Sequence, residues 1–375
     1  MKVTIIKNGD LVLPDKVLGK TDLVVQGDRI MLIAGCPPRH DQEVDASGKY
    51  VLPGLFDIHC HGRLGFADPA KAAELLAEDC KELPTYGVTR YLPTLASAPI
   101  ENWHTMLAAL TEAVKHPPGG AVPMGIHLEG NFMNPEAGGA HPGGLLKAYD
   151  PDDPMQRGVF EKWGQWISLV TFAPEVAGND ALIKECKERG IAMSLGHSTA
   201  SPEEVAKFAD MGVLNMCHLF NGMKPMDHRD PGPALGGLLD DRVSVEMIVD
   251  GVHVHPDMIR LVHRTKPRES RVLVSDLLVI DFPGVESDGP DLPNRLPNGR
   301  LAGSRLRLVS AVRNYMDFTG CELFEAAAMA SLYPARAVGM GKDLGSIEAG
   351  KFADLVIADR DLNIDKVMVA GEWAI

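Results

Sequence analysis

The chain of 375 residues is too long for one small hydrophobic core, so its length favours either two domains or one barrel with an appendage. Hydrophobic residues make up 45% of the sequence and charged residues 23%, a balance typical of soluble globular proteins. The formal net charge of −14 and the lack of a basic stripe argue against a nucleic-acid partner, but they leave room for a small anionic substrate in a locally basic pocket.

The cysteines and the apolar segments predict the compartment. Six cysteines are scattered without a C-x-x-C pair or regular spacing, which favours free thiols in a reducing compartment. The N-terminal segment lacks the apolar core of a signal peptide, and no segment reaches the roughly 18 apolar residues of a membrane span. We therefore predict a cytoplasmic protein with no membrane partner. The cysteines are Cys36, Cys60, Cys80, Cys186, Cys217 and Cys321.

Both ends of the chain predict small β-strands. Within residues 1–52, alternating segments such as KVTIIKNG and DLVVQGDRIMLIAG are broken by Gly and Asp turn signals. Residues 345–375, which begin GSIEAGKFADLVIADRD, show the same pattern. Because chain termini often lie close together, we predict that the two pieces form one small β-sandwich domain around the middle of the chain.

Residues 53–344 predict an α/β domain. Short apolar runs alternate with helix-like stretches such as SPEEVAKFADMG, and runs of this length suit strands that are buried on both faces. Eight such units in about 290 residues predict a TIM (β/α)8 barrel. An open doubly wound sheet is the alternative, but it would usually carry a Gly-rich phosphate loop where this chain has His-Cys-His. The eight runs are GLFDIH, VTRYLPT, PMGIHLE, ISLVTFA, IAMSLGH, VLNMCHL, VSVEMIV and RVLVSD.

Ionisable side chains follow several of these predicted strands, at the end where TIM barrels carry their working groups. Each has a structural alternative, since a histidine can enter a helix, a glutamate can be solvated and an aspartate can cap a helix. Together, however, imidazoles and carboxylates are the ligands of Zn²⁺ or a similar divalent ion with a position open to water. The candidates are His59 and His61 after the first strand, Glu129 after the third, His197 after the fifth, His218 after the sixth and Asp276 after the eighth.

Six motifs occur in order over nearly the whole chain: HLEGNFMNPEAGGAHP, LGHSTAS, HLFNGMKPMDHRDPG, DGVHVHP, LAGS and GSIEAGKFADLVI. Together they resemble the N-acetylglucosamine-6-phosphate deacetylase family, within the amidohydrolase superfamily. The closing G-x-I-x-x-G-x-x-A-D-L motif alone indicates only the superfamily, whereas HLEG with HLFN points to this branch.

The resemblance implies a hydrolase in which a metal-activated water attacks an amide carbonyl. Glu129, His197 and His218 would bind the main ion. His59 and His61 would hold a second ion that Glu129 bridges, because the fourth strand offers no lysine for the carboxylated bridge of many relatives. One or two ions are expected, Zn²⁺ or Fe²⁺, since ligand type does not choose between them.

The resemblance also implies roles for the remaining site residues. Asp276 is similar to the aspartate that takes a proton from the water and returns it to the departing amine, with His141 as the next candidate base. His141 would lie near the acyl group and His253 would hold the sugar. The phosphate would be held by Asn221, Gly222 and Arg229.

In this family, part of the phosphate-binding site commonly comes from a neighbouring subunit. The resemblance therefore implies a homodimer. For Arg229 the alternative is a surface salt bridge. Cys60 and Cys217 flank proposed ligands, but they lack a partner pattern and are predicted to be small buried hydrophobes.

The sequence departs from the family pattern at several positions without losing a proposed ligand, which leaves the acyl group and the sugar open. The leading prediction is deacetylation of N-acetylglucosamine-6-phosphate to glucosamine-6-phosphate and acetate in amino-sugar catabolism. The alternatives are deacylation of another N-acyl amino sugar or N-acyl amine and, from a different class, a non-catalytic binding protein with this fold. The departures are Asn131, Gly222, Leu277, Leu278, Arg305 and Arg307.

Overall fold

The computed structural model of the chain describes residues 1–33, 39–65, 67–280 and 285–375. Cys36 and the last two residues of the predicted DLVVQGDRIMLIAG segment lie outside the described residues. In these ranges the strands belong to two separate sheets. No helix in the same ranges is both long enough and apolar enough to cross a membrane.

Strands and helices alternate through the middle of the chain, with strands alone at both ends. The strands are β1 (Val3–Val12), β2 (Val17–Gln26), β3 (Arg29–Ile33), β4 (Gln42–Asp45), β5 (Tyr50–Pro53), β6 (Leu55–Gly62), β7 (Val88–Leu95), β8 (Val122–Pro123), β9 (Ile126–Glu129), β10 (Ile167–Phe172), β11 (Ala192–Leu195), β12 (Asn215–Met216), β13 (Ser244–Ile248), β14 (Arg271–Val274), β15 (Leu277–Leu278), β16 (Glu286–Ser287), β17 (Pro293–Arg295), β18 (Leu301–Ser304), β19 (Leu355–Ala358), β20 (Ile364–Val369) and β21 (Glu372–Trp373). The helices are α1 (Ala72–Glu82), α2 (Ile100–Lys115), α3 (Pro154–Trp163), α4 (Asp180–Arg189), α5 (Pro202–Asp210), α6 (Gly232–Leu239), α7 (Pro256–Thr265), α8 (Leu308–Thr319), α9 (Leu323–Met329) and α10 (Leu332–Ala337). Short 3₁₀ helices lie at Pro69–Lys71, Leu83–Tyr86, Pro135–Ala137, Gly143–Leu145, Gly164–Trp166 and Arg268–Ser270.

The smaller sheet is built from both ends of the chain. Its order is β21-β20-β19-β5-β1-β2-β3, with β4 paired to β1. The two ends meet where β19 pairs with β5 in antiparallel register, and apolar side chains from both ends share one core that includes Ile6, Leu23 and Met368. The structure therefore shows a separate terminal sheet, while the domain boundaries at residues 52 and 344 stay predictions.

The larger sheet is mostly parallel, and its strands run β14-β13-β12-β11-β10-β9-β7-β6-β15-β18-β17-β16, with β8 paired to β7. From β6 to β14 the pairs are parallel, and helices α1 to α7 follow successive strands. This curled sheet has strands that are almost entirely buried, as the continuous apolar runs predict. The prediction of an α/β fold is confirmed at this level.

Two predicted strands are interrupted in the structure. The run PMGIHLE divides into β8 and β9 at Gly125, which has φ +143°, where a Cβ atom would lie only 2.0 Å from the Ser168 hydroxyl oxygen. The run VLNMCHL is regular only at Asn215–Met216, and beyond this strand His218 has a positive φ of +21°. Strands β15 to β18 were not predicted, since they are short and lack an apolar period.

A buried ion pair joins the two sheets. The Arg90 guanidinium on β7 donates through Nε and Nη2 to the two Asp354 carboxylate oxygens, at 2.7 and 3.0 Å. Both side chains are buried, and Phe352 packs its ring against the same guanidinium. Arg90 is close to the N-terminal end of β7, so this contact stabilises the edge of the larger sheet that carries none of the candidate ligands.

Candidate active site

The candidate ligands lie at the C-terminal ends of the parallel strands, where open and closed α/β sheets place their binding sites. His59 and His61 are two residues apart on β6, so their side chains share one side of the strand. Glu129 is the last residue of β9. His197, His218 and Asp276 each follow a strand by two residues, and all six side chains are buried.

Three of these residues lie on unusual backbone. His197 has φ +48°, His218 has φ +21° and Asp276 has φ +48°. Left-handed conformations are uncommon outside glycine and cost about 1–3 kcal/mol each, so they persist where the surrounding structure holds them for a purpose. Gly196 shows how tight the first of these turns is, because a Cβ atom there would lie 2.5 Å from the Thr171 methyl carbon.

Glu129 is the centre of the cluster. One carboxylate is surrounded by imidazole nitrogens from four different segments of the chain, an arrangement that a lone structural glutamate does not need. Measured from Nε2 to the nearer carboxylate oxygen, the distances are 2.9 Å for His218, 3.0 Å for His61, 3.3 Å for His59, 3.3 Å for His197 and 3.6 Å for His141.

The side chains form adjoining groups of the size and type that hold a metal ion. Asp276 Oδ1 lies 3.4 Å from His61 Nε2 and 3.5 Å from His59 Nε2. Within each group the possible ligand atoms lie within 4.8 Å of one another. The groups found in the described residues are Glu129 with His197 and His218, His59 with His61 and Asp276, and His59 with Glu129 and Cys217.

The imidazole hydrogen bonds fit a metal ion. His61 Nδ1–H donates to the Thr94 carbonyl oxygen at 3.0 Å, and His197 Nδ1–H donates to the Ala137 carbonyl oxygen at 2.9 Å. In the neutral ring these bonds place the proton on Nδ1 and leave the Nε2 lone pair for a metal ion. His59 Nε2 is buried and has no hydrogen-bond partner among the described residues. A divalent cation would satisfy these nitrogens and the two carboxylates together.

Burial and neighbouring charges act in opposite directions on these groups. Burial raises the pKa of Asp276, but His59 and His61 outweigh burial and lower the pKa to about 2. Burial raises the pKa of Glu129 as well, yet the imidazoles, His59 above all, hold it well below its ordinary value. Burial lowers the pKa of His61, whereas its bonds with Asp276 and Glu129 raise it to about 9. A cation that binds here therefore meets ionised carboxylates and displaces protons from imidazoles.

Two buried side chains beside His59 were missed from the sequence. His127 shares hydrogen bonds with the hydroxyls of Thr94 (3.2 Å) and Thr171 (2.8 Å), and burial holds its pKa well below the ordinary value, so it is neutral. Glu246 has one oxygen 3.3 Å from His59 Nδ1. The available signal was a polar residue inside an apolar run. His127 stands in the run PMGIHLE, and Glu246 stands in the run VSVEMIV.

A cavity of about 290 Å³ opens above the ligands. His253, which lines it, is held by the Asp250 carboxylate at 2.6 Å from its Nδ1, and Asn221 donates its amide to the His218 carbonyl oxygen. The structure thus brings most of the predicted substrate residues to one space. Those that line it are His141, Asn221, Gly222 and His253, together with His61, Glu129, His197, His218 and Asp276.

Arg229 is the predicted substrate residue that the single chain does not bring to the cavity. Its side chain is exposed, and its backbone N–H donates to Asp227 at 2.8 Å. Among the described residues, the arginine that lines the cavity is Arg300, between β17 and β18, whose Nη1 donates to the Gly139 carbonyl oxygen at 3.1 Å. The sequence did not indicate Arg300, because its position depends on unpredicted strands.

Two departures from the family pattern shape the backbone beside the ligands. Asn131 has φ +59°, which a proline could not adopt, and its side chain forms two hydrogen bonds with the backbone of Ala98. Gly222 has φ +55°, and a Cβ atom there would lie 2.5 Å from Nδ1 of His197. In this structure the glycine therefore leaves room for the His197 ring.

The other departures differ in their distance from the cavity. Leu278 lines it, whereas Leu277 is buried outside the lining. Arg305 and Arg307 are also outside the lining, and Arg307 forms an ion pair with Asp291 at 2.5 Å. Leu278 is thus the departure near Asp276 that contacts the substrate space directly.

The whole arrangement matches a known family. A family model described as the amidohydrolase family matches residues 50–374. The chain belongs to the amidohydrolase family. Membership confirms the prediction of a hydrolase that acts on an amide bond, and with the ligand groups above it supports a divalent metal ion whose identity is open.

Relatives within the amidohydrolase family are similar over nearly the whole chain. N-acetylglucosamine-6-phosphate deacetylase of Bos taurus is 32% identical, with 96% of this chain and 93% of the relative covered. N-acetylgalactosamine-6-phosphate deacetylase of Escherichia coli O157:H7 is 31% identical, with 92% of both chains covered.

Solved structures within the family agree with the fold. N-acetylglucosamine-6-phosphate deacetylase from Thermotoga maritima is 31% identical over 99% of both chains, with a TM-score of 0.85. A variant of the Mycobacterium smegmatis enzyme in complex with N-acetyl-D-glucosamine-6-phosphate is 29% identical over 100% of both chains, with a TM-score of 0.88. The resemblance to the N-acetylglucosamine-6-phosphate deacetylase family is confirmed.

Proposed function

We propose that the protein hydrolyses the acetamide of N-acetylglucosamine-6-phosphate to glucosamine-6-phosphate and acetate, in amino-sugar catabolism in the cytoplasm. The observation that carries the proposal is the convergence of imidazoles on Glu129, with Asp276 beside them, at the floor of one cavity. The relatives that share nearly the full length of the chain support the same substrate. The five cysteines in the described ranges are free, which supports a reducing compartment.

We further propose that the parallel strands close into a TIM (β/α)8 barrel and that the terminal sheet folds as a β-sandwich. Closure is supported where the last parallel strand approaches the first. Asp276 N–H donates to the His59 carbonyl oxygen at 3.0 Å, the Ser275 hydroxyl donates to Asp57 at 2.5 Å, and Leu277 pairs with Cys60. We propose residues 1–52 and 345–375 as the sandwich and 53–344 as the barrel.

The metal would be held by two groups of residues. We assign Glu129, His197 and His218 to the main ion, and His59 and His61 to a second ion, with Glu129 between them. Zn²⁺ is our first choice and Fe²⁺ the second, and the ligand types are compatible with both ions. When bound, such an ion supplies Lewis-acid activation of water and of the amide carbonyl.

Asp276 is assigned as the group that moves the proton. The neighbouring His59 and His61 outweigh burial and lower its pKa to about 2, so the carboxylate is ionised at neutral pH and its oxygens are free of protons. An amine leaves an amide carbon only when it is protonated, so the same carboxyl group can return that proton to the nitrogen. His141 lines the cavity next to the ring of His197, where it can orient the acyl group.

The substrate would be held by further residues that line the same cavity. We assign His253, fixed by Asp250, to the sugar hydroxyls, and Asn221 with Gly222 to the phosphate. Arg229 is exposed, so it would reach the phosphate of a second copy in a homodimer. A guanidinium can hold a phosphate through two parallel hydrogen bonds.

A second candidate substrate is N-acetylgalactosamine-6-phosphate, because a relative with that activity in its name is as similar as the others. The two sugars differ only in the configuration at C4. Acetate release from both phosphates, with metal-replete protein and elemental analysis of the same sample, tests the function. Release of no acid from any N-acyl amino sugar or N-acyl amine would contradict it and favour a binding protein.

Arg229→Ala should weaken phosphorylated substrates far more than unphosphorylated ones. A charged hydrogen bond contributes about 1.5–3 kcal/mol, which corresponds to roughly a tenfold to hundredfold loss in kcat/KM. The measurement is kcat/KM for N-acetylglucosamine with and without its phosphate. Arg300→Ala is the matched control, since Arg300 lines the cavity of its own chain. If Arg300→Ala alone shows the selective loss, the phosphate is held within one chain and the assignment of Arg229 is wrong.

A mixing experiment separates the two chains. Arg229→Ala and Asp276→Asn proteins, dissociated and reassociated together, should regain activity on the phosphorylated sugar, because a mixed dimer contains one site with both native groups. Activity no higher than that of the separate variants would show that Arg229 does not act across an interface.

A further inference from the structure

We infer that Glu246 is a positioning residue for the second metal ion: its carboxylate accepts the Nδ1 proton of His59 and so directs the Nε2 lone pair of that histidine towards the ion. The inference rests on the metal site of the proposed function, and it adds a residue to which neither the sequence motifs nor the proposed function gives a role. Glu246 lies on β13, at the seventh of the predicted strands, and it is 1% exposed.

The contacts of Glu246 point to this role. Its Oε2 lies 3.3 Å from His59 Nδ1, and its Oε1 has no hydrogen-bond partner among the described residues. A buried carboxylate without an arginine or lysine partner is costly unless it has another purpose. Because an ionised carboxylate only accepts hydrogen bonds, Nδ1 must carry the proton.

The other end of His59 is where the ion would lie. His59 Nε2 faces Glu129 Oε2 at 3.3 Å and Asp276 Oδ1 at 3.5 Å, and it makes no hydrogen bond with the described residues. The Glu246 carboxylate and the ligand position thus lie at the two different nitrogens of one imidazole ring. In such an arrangement the carboxylate fixes the tautomer and raises the basicity of the ligand nitrogen.

Glu246 differs from the groups that orient the other histidines. His61 and His197 each donate Nδ1–H to a backbone carbonyl, which a substitution cannot remove. His59 alone among these three depends on a side chain. Cys217 Sγ also lies 3.4 Å from His59 Nδ1, but sulfur is a weak acceptor beside a carboxylate.

The experiment measures metal binding as well as activity. Glu246→Ala should weaken the ion at His59 and His61 about tenfold to a hundredfold and leave the ion at His197 and His218 unchanged. The metal-free protein is titrated with Co²⁺, and the visible absorption of the bound ions gives the affinity of each site. Glu246→Gln should restore part of the affinity, since an amide oxygen still accepts the Nδ1 proton.

Ser194→Ala is the control, because Ser194 is also buried on a neighbouring part of the sheet and its hydroxyl has no partner in the described residues. It should leave both Co²⁺ affinities as in the wild type.

If Glu246→Ala does not fold, the Co²⁺ affinities of Glu246→Gln test the inference instead. We then expect weaker binding of the second ion only. Equal affinities in Glu246→Gln and wild type, loss of both ions together, or a wild type that binds a single ion would each overturn the inference. None of these results depends on which amide is hydrolysed, so failure of the proposed function would be seen separately in the acetate assay.

Discussion

Asp276→Asn is expected to lower kcat towards the upper end of the roughly 10²- to 10⁴-fold range that general acid–base groups contribute. One residue would serve both the attack of water and the departure of the amine, so its loss affects both steps. Asparagine keeps the size of the side chain, and it tolerates the φ of +48° at this position better than alanine does. The amide cannot accept the proton, which isolates the chemical role from the backbone.

The measurement is kcat on the phosphorylated sugar, with metal content determined on the same sample. Asp291→Asn is a matched control, because Asp291 also has a positive φ (+59°) but pairs with Arg307 outside the cavity. We expect near wild-type turnover for this control. If Asp276→Asn keeps more than about a tenth of wild-type turnover, well outside the range for such a group, another residue is the base. His141 would then be the first candidate.

The sequence predicted the ligands because each follows an apolar run that forms a buried strand. His59, Glu129, His197 and Asp276 all stand at such an end, and strand direction alone brings these ends together. The side of the strand is also predictable, since His59 and His61 differ by two residues. What the sequence cannot give is the register between strands, so the closeness of Glu246 to His59 was not foreseen.

The cavity wall was less predictable than its floor. Arg300 reaches the cavity because β17 and β18 extend the sheet beyond the last parallel strand, and these strands carry no apolar alternation. Arg229 shows a second reason why the substrate contacts cannot be predicted from the sequence. Its motif indicated phosphate, but its exposed place in one chain means that any contact with substrate depends on how two chains associate.

Removing both histidines of β6 tests how many ions the site holds. His59→Ala combined with His61→Ala should halve the metal content if the site holds two ions, because Glu129, His197 and His218 remain as a complete group. Elemental analysis, after the protein is reloaded with metal, gives the number of ions per chain. Unchanged metal content would show that the pair is not a ligand set.

Glu129→Gln should lower the metal content more than the His59 and His61 double variant does, because the negative charge of Glu129 contributes to both groups of ligands. Five imidazole nitrogens lie within 3.6 Å of its oxygens, and the positive charge of either ion would face a neutral amide in the variant. Loss of one partner in a buried charged set costs about 3–5 kcal/mol. At about 1.4 kcal/mol per tenfold, this corresponds to roughly a hundred- to several-thousandfold weaker metal binding.

The comparison between these two variants decides whether Glu129 bridges. With a bridging carboxylate, Glu129→Gln loses both ions and its turnover falls with them, whereas the His59 and His61 double variant keeps the main ion. Thermal unfolding of the metal-free proteins checks that each variant is folded. If Glu129→Gln retains one full ion per chain, the carboxylate serves one group only. The two groups would then bind metal independently, and His59, His61 and Asp276 would have to hold the second ion without it.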